Sequence, residues 1–179
     1  MSKHYQYGFN VLELMVGIAV LGILLGLGVP SFTQIIRDNR VVADTNELVV
    51  ALSFARSEAV KRGLPTAVCA RTAPTTDVCR TGTENDWSSG WLVFADMAGT
   101  AGVIDVGDEI LQRFDAAPAG VTILTNDRPV VGFAATGLPP TGAIDTTFTI
   151  RHAACTGNNL RTVRISATGR LNTNRRACP

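Results

Sequence analysis

From Phe9 to Val29 every position is apolar or glycine except Asn10 and Glu13. As a helix, at about 1.5 Å per residue, this run extends about 31 Å, the thickness of a bilayer's hydrocarbon core. It predicts a membrane-spanning helix over residues 9–30. The polar octapeptide MSKHYQYG, residues 1–8, precedes it as a short leader. An ordinary secretory signal has a shorter apolar run and a small-residue cleavage site behind it, and this chain has neither. Pro30 lacks an N–H and predicts a bend or local melting of the helix. Residues 31–64 then carry an amphipathic continuation. Val41, Leu48, Leu52, Ala55 and Ala59 recur on one face, while charged residues such as Arg40, Asp44, Glu47, Arg56, Glu58 and Lys61 mostly fall on the others as a solvated surface. Gly63 and Pro65 are stop signals.

The period changes at Thr66. Short β-like runs follow at Thr66–Ala70, Gly90–Phe94, Glu109–Phe114, Val121–Leu124, Val130–Phe133, Thr147–His152 and Arg161–Ser166, separated by Gly, Pro, Asp and Asn. Their number and spacing predict an antiparallel sheet packed on the helix. The class is α+β, with a β-rich globular domain over residues 65–179. A long loop, Thr72–Ser89, interrupts the strands.

Charge changes this picture only near the C-terminus. The chain carries 16 basic and 15 acidic residues. Six of the arginines lie between Thr146 and Pro179 (Arg151, Arg161, Arg164, Arg170, Arg175 and Arg176), where there is no Asp or Glu. A basic end therefore sits on a mildly acidic body. Cys69, Cys79, Cys155 and Cys178 are even in number and follow a membrane segment, which suggests disulfides in an oxidising compartment. Three pairings are open. Joining neighbours in sequence is the simplest, and each bond would contribute about 3 kcal/mol by loop entropy. Zinc is the competing use, but there is no Cys-x-x-Cys, and His4 and His152 are poorly placed for a site.

Glu13 is the anomaly of the apolar run, because a lone carboxylate in hydrocarbon costs several kcal/mol and usually has a partner. If the chain is cut between Gly8 and Phe9, the freed α-ammonium lies four residues from Glu13, and a neighbouring subunit's ammonium can neutralise it. The alternative is a Glu13 hydrated at the membrane interface. No nucleophile, phosphate-binding or metalloprotease motif is present, so no enzyme activity and no cofactor is expected. Asp105, Asp108 and Glu109 lack the spacing and glycine of an EF-hand, which leaves an ordinary exposed loop. Trp87 and Trp91 read as packing anchors rather than a ligand platform.

The string Gly8-Phe9-Asn10-Val11-Leu12-Glu13 resembles the type III signal of type IV prepilins and pseudopilins. The resemblance implies cleavage after Gly8 by prepilin peptidase, N-methylation of Phe9, a subunit-docking role for Glu13 and a helix-bending role for Pro30. Tyr7 stands where the family usually has Lys or Arg, and Asn10 where Thr is commoner. A second resemblance covers most of residues 40–179. Ala55-Arg56-Ser57-Glu58-Ala59, Cys69, Cys79, the Trp-x-x-Gly-Trp stretch Trp87–Trp91 and Val163–Arg170 are similar to FimT/FimU minor pilins and GspH-type pseudopilins.

It implies a type IV pilin-like fold and a minor pilin of a type IV pilus, at the tip or initiation complex. Other major and minor pilins, the peptidase/N-methyltransferase and an inner-membrane assembly platform would be its partners. The chain would cross the bacterial inner membrane once, with a periplasmic C-terminal domain, and later stand in a pilus on the cell surface. A type II secretion minor pseudopilin of GspH type shares the signal and the fold. FimT-type pilins are linked to DNA capture through a C-terminal Gly-Arg-x-Arg motif. This sequence reads Gly169-Arg170-Leu171-Asn172, with Arg164, Arg175 and Arg176 nearby to meet phosphates. A solubilising or pilin–pilin contact surface is the other reading of this tail.

Overall fold

A single helix, α1, runs from Val11 to Arg62 in the computed structural model. The structure describes residues 10–97, 100–126, 128–140 and 145–179, with 27–31 described by their backbone alone. The chain divides into two compact units, one ending at Arg37 and one running from Asp38 to Pro179. Asn10 caps the helix: its Oδ1 accepts the Leu12 N–H at 3.3 Å, and its carbonyl accepts the Leu14 N–H at 3.1 Å. At the other end Gly63 takes φ 67°. The Gly63 and Leu64 amides both close on the Ala59 carbonyl, which satisfies a carbonyl the helix leaves open. Of the bend or local melting expected at Pro30, melting is not seen. The helix is continuous there, because one missing N–H removes one bond from a ladder that the neighbouring turns sustain.

Among the described side chains of the first unit, the apolar ones face outward on every side. Val11 is 74% exposed, Met15 67% and Ile23 65%. Among the described residues no helix is long and apolar enough to cross a membrane. The expected span, 9–30, begins before the described residues and includes Leu27–Pro30, whose side chains are not described.

The second unit pairs the rest of α1 with two four-stranded antiparallel sheets. The strands are β1 (Thr66–Ala70), β2 (Trp91–Ala95), β3 (Glu109–Phe114), β4 (Val121–Thr125), β5 (Val130–Phe133), β6 (Thr147–His152), β7 (Leu160–Ile165) and β8 (Leu171–Arg176). The first sheet has the order β3-β2-β1-β5 and the second β4-β6-β7-β8. Seven strands fall where the sequence predicts them, within a residue at each end. The eighth, β8, is not predicted. Its sequence, LNTNRR, has almost no apolar residue to alternate, and it forms because β7 offers an edge beside it.

The stripe on α1 is Val41, Leu48, Ala51, Leu52, Ala55 and Ala59, and all six are buried. It packs into one core with Val68, Val93 and Val131 of the first sheet and Phe148, Ile150 and Val163 of the second. β1 and β2 are buried on both faces. Their far side forms a smaller core of Ala67, Cys69, Leu92 and Phe94, closed over by Cys79. Cys69 and Cys79 are disulfide-bonded, as are Cys155 and Cys178.

Trp87 and Trp91 are both inside. Trp87 meets Phe148 edge-on, with ring centres 4.9 Å apart, and its Nε1–H donates to the Arg128 carbonyl at 2.9 Å. Trp91 stacks on Phe114 at 5.5 Å. Gly90 between them has φ 92°, and a β-carbon there would lie 2.5 Å from the Phe114 carbonyl oxygen. The Trp-x-x-Gly-Trp spacing thus places one ring in each half of the core, with a glycine where β3 ends against the connecting chain.

Two charged residues expected on the solvated face lie inside. Glu58 is buried but paired, with Oε2 2.7 Å from Arg62 Nε and Oε1 3.2 Å from Lys61 Nζ. Those partners hold its carboxyl below the usual range. Asp44 sits on the buried stripe three residues after Val41, and among the described residues its Oδ2 has no hydrogen-bond partner. Burial first, then Glu47, raises its pKa from 3.8 to about 6, against the opposing pull of Arg40.

A carboxyl whose folded pKa is raised stabilises the fold when protonated. Its contribution is complete below 3.8 and is lost as pH rises through about 6. Stability should therefore fall between about pH 4 and pH 7 by at most about 3 kcal/mol from this group. Asp44→Asn should flatten that slope and stabilise the chain at neutral pH. Urea unfolding across the pH range checks it, and an unchanged slope in the variant refutes the assignment.

Candidate interaction surface

The basic C-terminal run is the hairpin β7–β8. Ser166 donates its N–H to the Arg170 carbonyl at 3.0 Å, and Gly169 donates to the Ser166 carbonyl at 2.8 Å. Gly169, at φ 71°, supplies the left-handed residue that such a turn requires. A β-carbon on Gly169 would stand 2.8 Å from the Gly137 carbonyl oxygen. The turn is held to α1 by Arg56, whose Nη1 donates to the Gly169 carbonyl at 2.9 Å and whose Nη2 donates to the Thr168 carbonyl at 3.1 Å. Beside this latch lies an open groove of about 780 Å³, lined by Ser53, Arg56, Lys61, Arg170 and Leu171. At the far end the Cys155–Cys178 bond and the Cys178 N–H to Gly157 carbonyl bond, 2.8 Å, close the hairpin.

Register divides the arginines between two faces. Arg161 is paired with Arg175, and both project toward the α1 side together with Val163 and Ile165. Burial and the nearby Arg175 lower the Arg161 pKa, while Asp38 pulls it back up. The opposite face carries Arg176 beside Leu160, Arg164 beside Asn172, and Arg151 on β6. Arg164 is neutralised there by Asp145, 2.7 Å away. Arg170 lies in the turn and is exposed. The four arginines singled out from sequence, Arg164, Arg170, Arg175 and Arg176, are all exposed but do not converge on one spot. Sequence reasoning missed Arg56, which orients the turn. Its signal was the helical period: position 56 lies beside the buried Ala55 and Ala59 and points along the stripe's border.

At the other end of the chain, Glu13 lies exposed in the first turn of α1. Gly8 and Phe9, the expected cleavage and methylation residues, lie outside the described residues. The acidic residues of the loop after β2 serve the backbone. Asp108 accepts the Met97 N–H at 2.8 Å and the Asp105 N–H at 2.9 Å, and Asp96 accepts the Gly102 N–H at 2.8 Å. Among the described residues no cluster of three or more His, Cys, Asp or Glu could hold a metal.

Residues 44–169 match the family model described as type II transport protein GspH, more than two thirds of the chain. The chain belongs to the GspH family. The match begins on the buried stripe of α1 and stops at Gly169, so β8 and its arginines lie beyond it. Two crystal forms of the type IV minor pilin FimU of Pseudomonas aeruginosa are similar in structure. In the first, identity is 23%, the TM-score 0.59, and coverage 76% of this chain and 89% of that one. In the second, identity is again 23%, the TM-score 0.53, and coverage 72% and 88%. No curated protein matches the chain. The GspH domain seen here thus has the type IV pilin fold, a long N-terminal helix packed on antiparallel β-sheet.

Arg56→Ala should release the hairpin turn from the GspH helix. Two hydrogen bonds from a charged donor disappear, so we expect a loss of about 2–4 kcal/mol. Amide exchange at Ser166 and Gly169 should quicken more than at β1. Equal protection in the variant would show that the turn does not depend on the latch.

Proposed function

We propose that the chain is a minor pilin, cut after Gly8 by prepilin peptidase, N-methylated at Phe9 and built into a type IV pilus, at its tip or initiation complex. The observation that carries this reading is the first unit of α1. An apolar helix exposed along its described length needs lipid or other helices around it, and a membrane and then a filament core would provide these in turn. The span over 9–30 would hold the chain in the bacterial inner membrane, with the domain over 65–179 in the periplasm and 31–64 joining the two. Pilins of both classes, the peptidase and the assembly platform would be the partners. Glu13, one helical turn beyond Phe9, would pair with the freed α-ammonium of a neighbouring subunit during docking. The two disulfides suit an oxidising compartment.

The family description favours a second reading, a minor pseudopilin of type II secretion. It uses the same signal, helix and docking step, and differs in the filament joined. DNA capture is supported by the six arginines of Thr146–Pro179 and the absence of acid among them. Because they divide between two faces, a duplex on either face would meet two or three of them.

Mass spectrometry of the mature chain should find N-methyl-Phe9 as its first residue, and a chain retaining residues 1–8 refutes processing. Glu13→Ala should reduce recovery in sheared filaments several-fold while the soluble domain folds normally. For DNA, titration of the full chain in detergent against duplex should give a log–log salt slope of about −2 to −3. No binding at low salt rejects capture.

A further inference from the structure

The second sheet has two edges, and among the described residues only one is covered. β4 is shielded by the segment before β2: Trp87 donates its N–H to the Ile123 carbonyl at 2.8 Å, and Thr125 donates to the Asn85 carbonyl at 2.9 Å. β8, at the other edge, has β7 on one side and no backbone partner on the other among the described residues. The hairpin fixes which groups are free. Ser166 and Arg170 form a hydrogen-bonded pair at the turn, so the pairs alternate from there. Asn172, Asn174 and Arg176 direct their backbone groups to β7. Leu171, Thr173 and Arg175 direct theirs outward.

Exposed edges are usually blunted by a bulge, a proline, a cover or charged side chains. β3, an edge of the first sheet, has a register shift against β2 at Val93/Phe94. β8 has no register shift and no proline, and it pairs straight through six residues. It is also held in place at both ends, by the Arg56 latch and by the Cys155–Cys178 bond. What it carries instead is positive charge on both faces: Arg175 beside Arg161 on one, Arg176 on the other.

We propose that the β8 edge receives an extended, carboxylate-bearing segment of a partner protein, which adds a fifth strand to the second sheet. The backbone of Leu171, Thr173 and Arg175 supplies the ladder. Arg161 and Arg175 are neighbouring like charges with Asp38 as the nearby carboxylate, so an added strand placing acidic residues on that face relieves their repulsion. Pairing with the β8 edge of a second copy is disfavoured, since the run Thr146–Pro179 of each copy brings six arginines and no Asp or Glu. This goes beyond the filament reading and does not depend on which filament the chain joins.

The test is amide hydrogen exchange on the isotope-labelled full chain in detergent micelles. The probe is an acetylated, amidated heptapeptide Thr-Val-Glu-Thr-Glu-Val-Thr. At saturation, exchange at Leu171, Thr173 and Arg175 should slow by about tenfold or more, with little change at Asn172, Asn174 and Arg176. Replacing both Glu of the probe by Lys should weaken binding about tenfold or more. Thr173→Pro removes an outward N–H that β7 does not use, so the hairpin should persist while peptide binding is lost. No protection at millimolar peptide, uniform protection along β8, equal binding of the Lys probe, or slowed exchange with duplex DNA and not with peptide would each overturn the proposal.

Discussion

Burial of one helical stripe organises the molecule. Val41, Leu48, Ala51, Leu52, Ala55 and Ala59 are each at most 1% exposed, and both sheets donate their inner rows to the same core. Neither sheet has enough strands to bury a face alone, so each depends on the helix as its second layer. Small residues at 51, 55 and 59 let the sheets approach closely. That approach brings the turn at Gly169 within reach of Arg56, and Gly137 against Val60. The helix therefore does two jobs at different places. Before Arg37 it offers apolar surface outward, and after Asp38 it spends apolar surface inward.

The parts legible in the sequence are those whose burial is written in their period. β1 and β2 are short, apolar and bounded by turn residues, and they lie where they read. Asp44 shows how a charge can mislead: counted from Val41 and Leu48, position 44 belongs to the stripe, and the helix keeps it there at the cost of an elevated pKa. β8 shows the opposite case. An edge strand needs one neighbour and no buried row, so Asn172, Asn174 and Arg176 leave no hydrophobic signal. Only the turn at Gly169 behind a strong strand pointed to it. The arginines were legible as a set but not as an arrangement. Which of them share a face follows from register, and register follows from the turn.

The two disulfides sit where the core cannot do the work. Cys69–Cys79 ties the long loop after β1 to the smaller core on the far side of the first sheet. Cys155–Cys178 holds the end of a strand that contributes little apolar area of its own. In both cases a segment with few buried contacts would otherwise fray, and the covalent link limits how far it can open.

The hairpin β7–β8 joins these themes. A polar, positively charged edge strand gains little from burial, so its straightness has to come from elsewhere. Arg56 holds one end with two hydrogen bonds and the disulfide holds the other, while six paired residues run between them without a bulge. A fold that needed β8 only as a cap could let it twist away or interrupt it with proline, as edges usually are. Keeping it straight leaves the outward amides and carbonyls of Leu171, Thr173 and Arg175 in a row, and the arginines keep that row from pairing with its own copies. Unbroken pairing combined with like charge is what would distinguish a selective edge from an aggregating one.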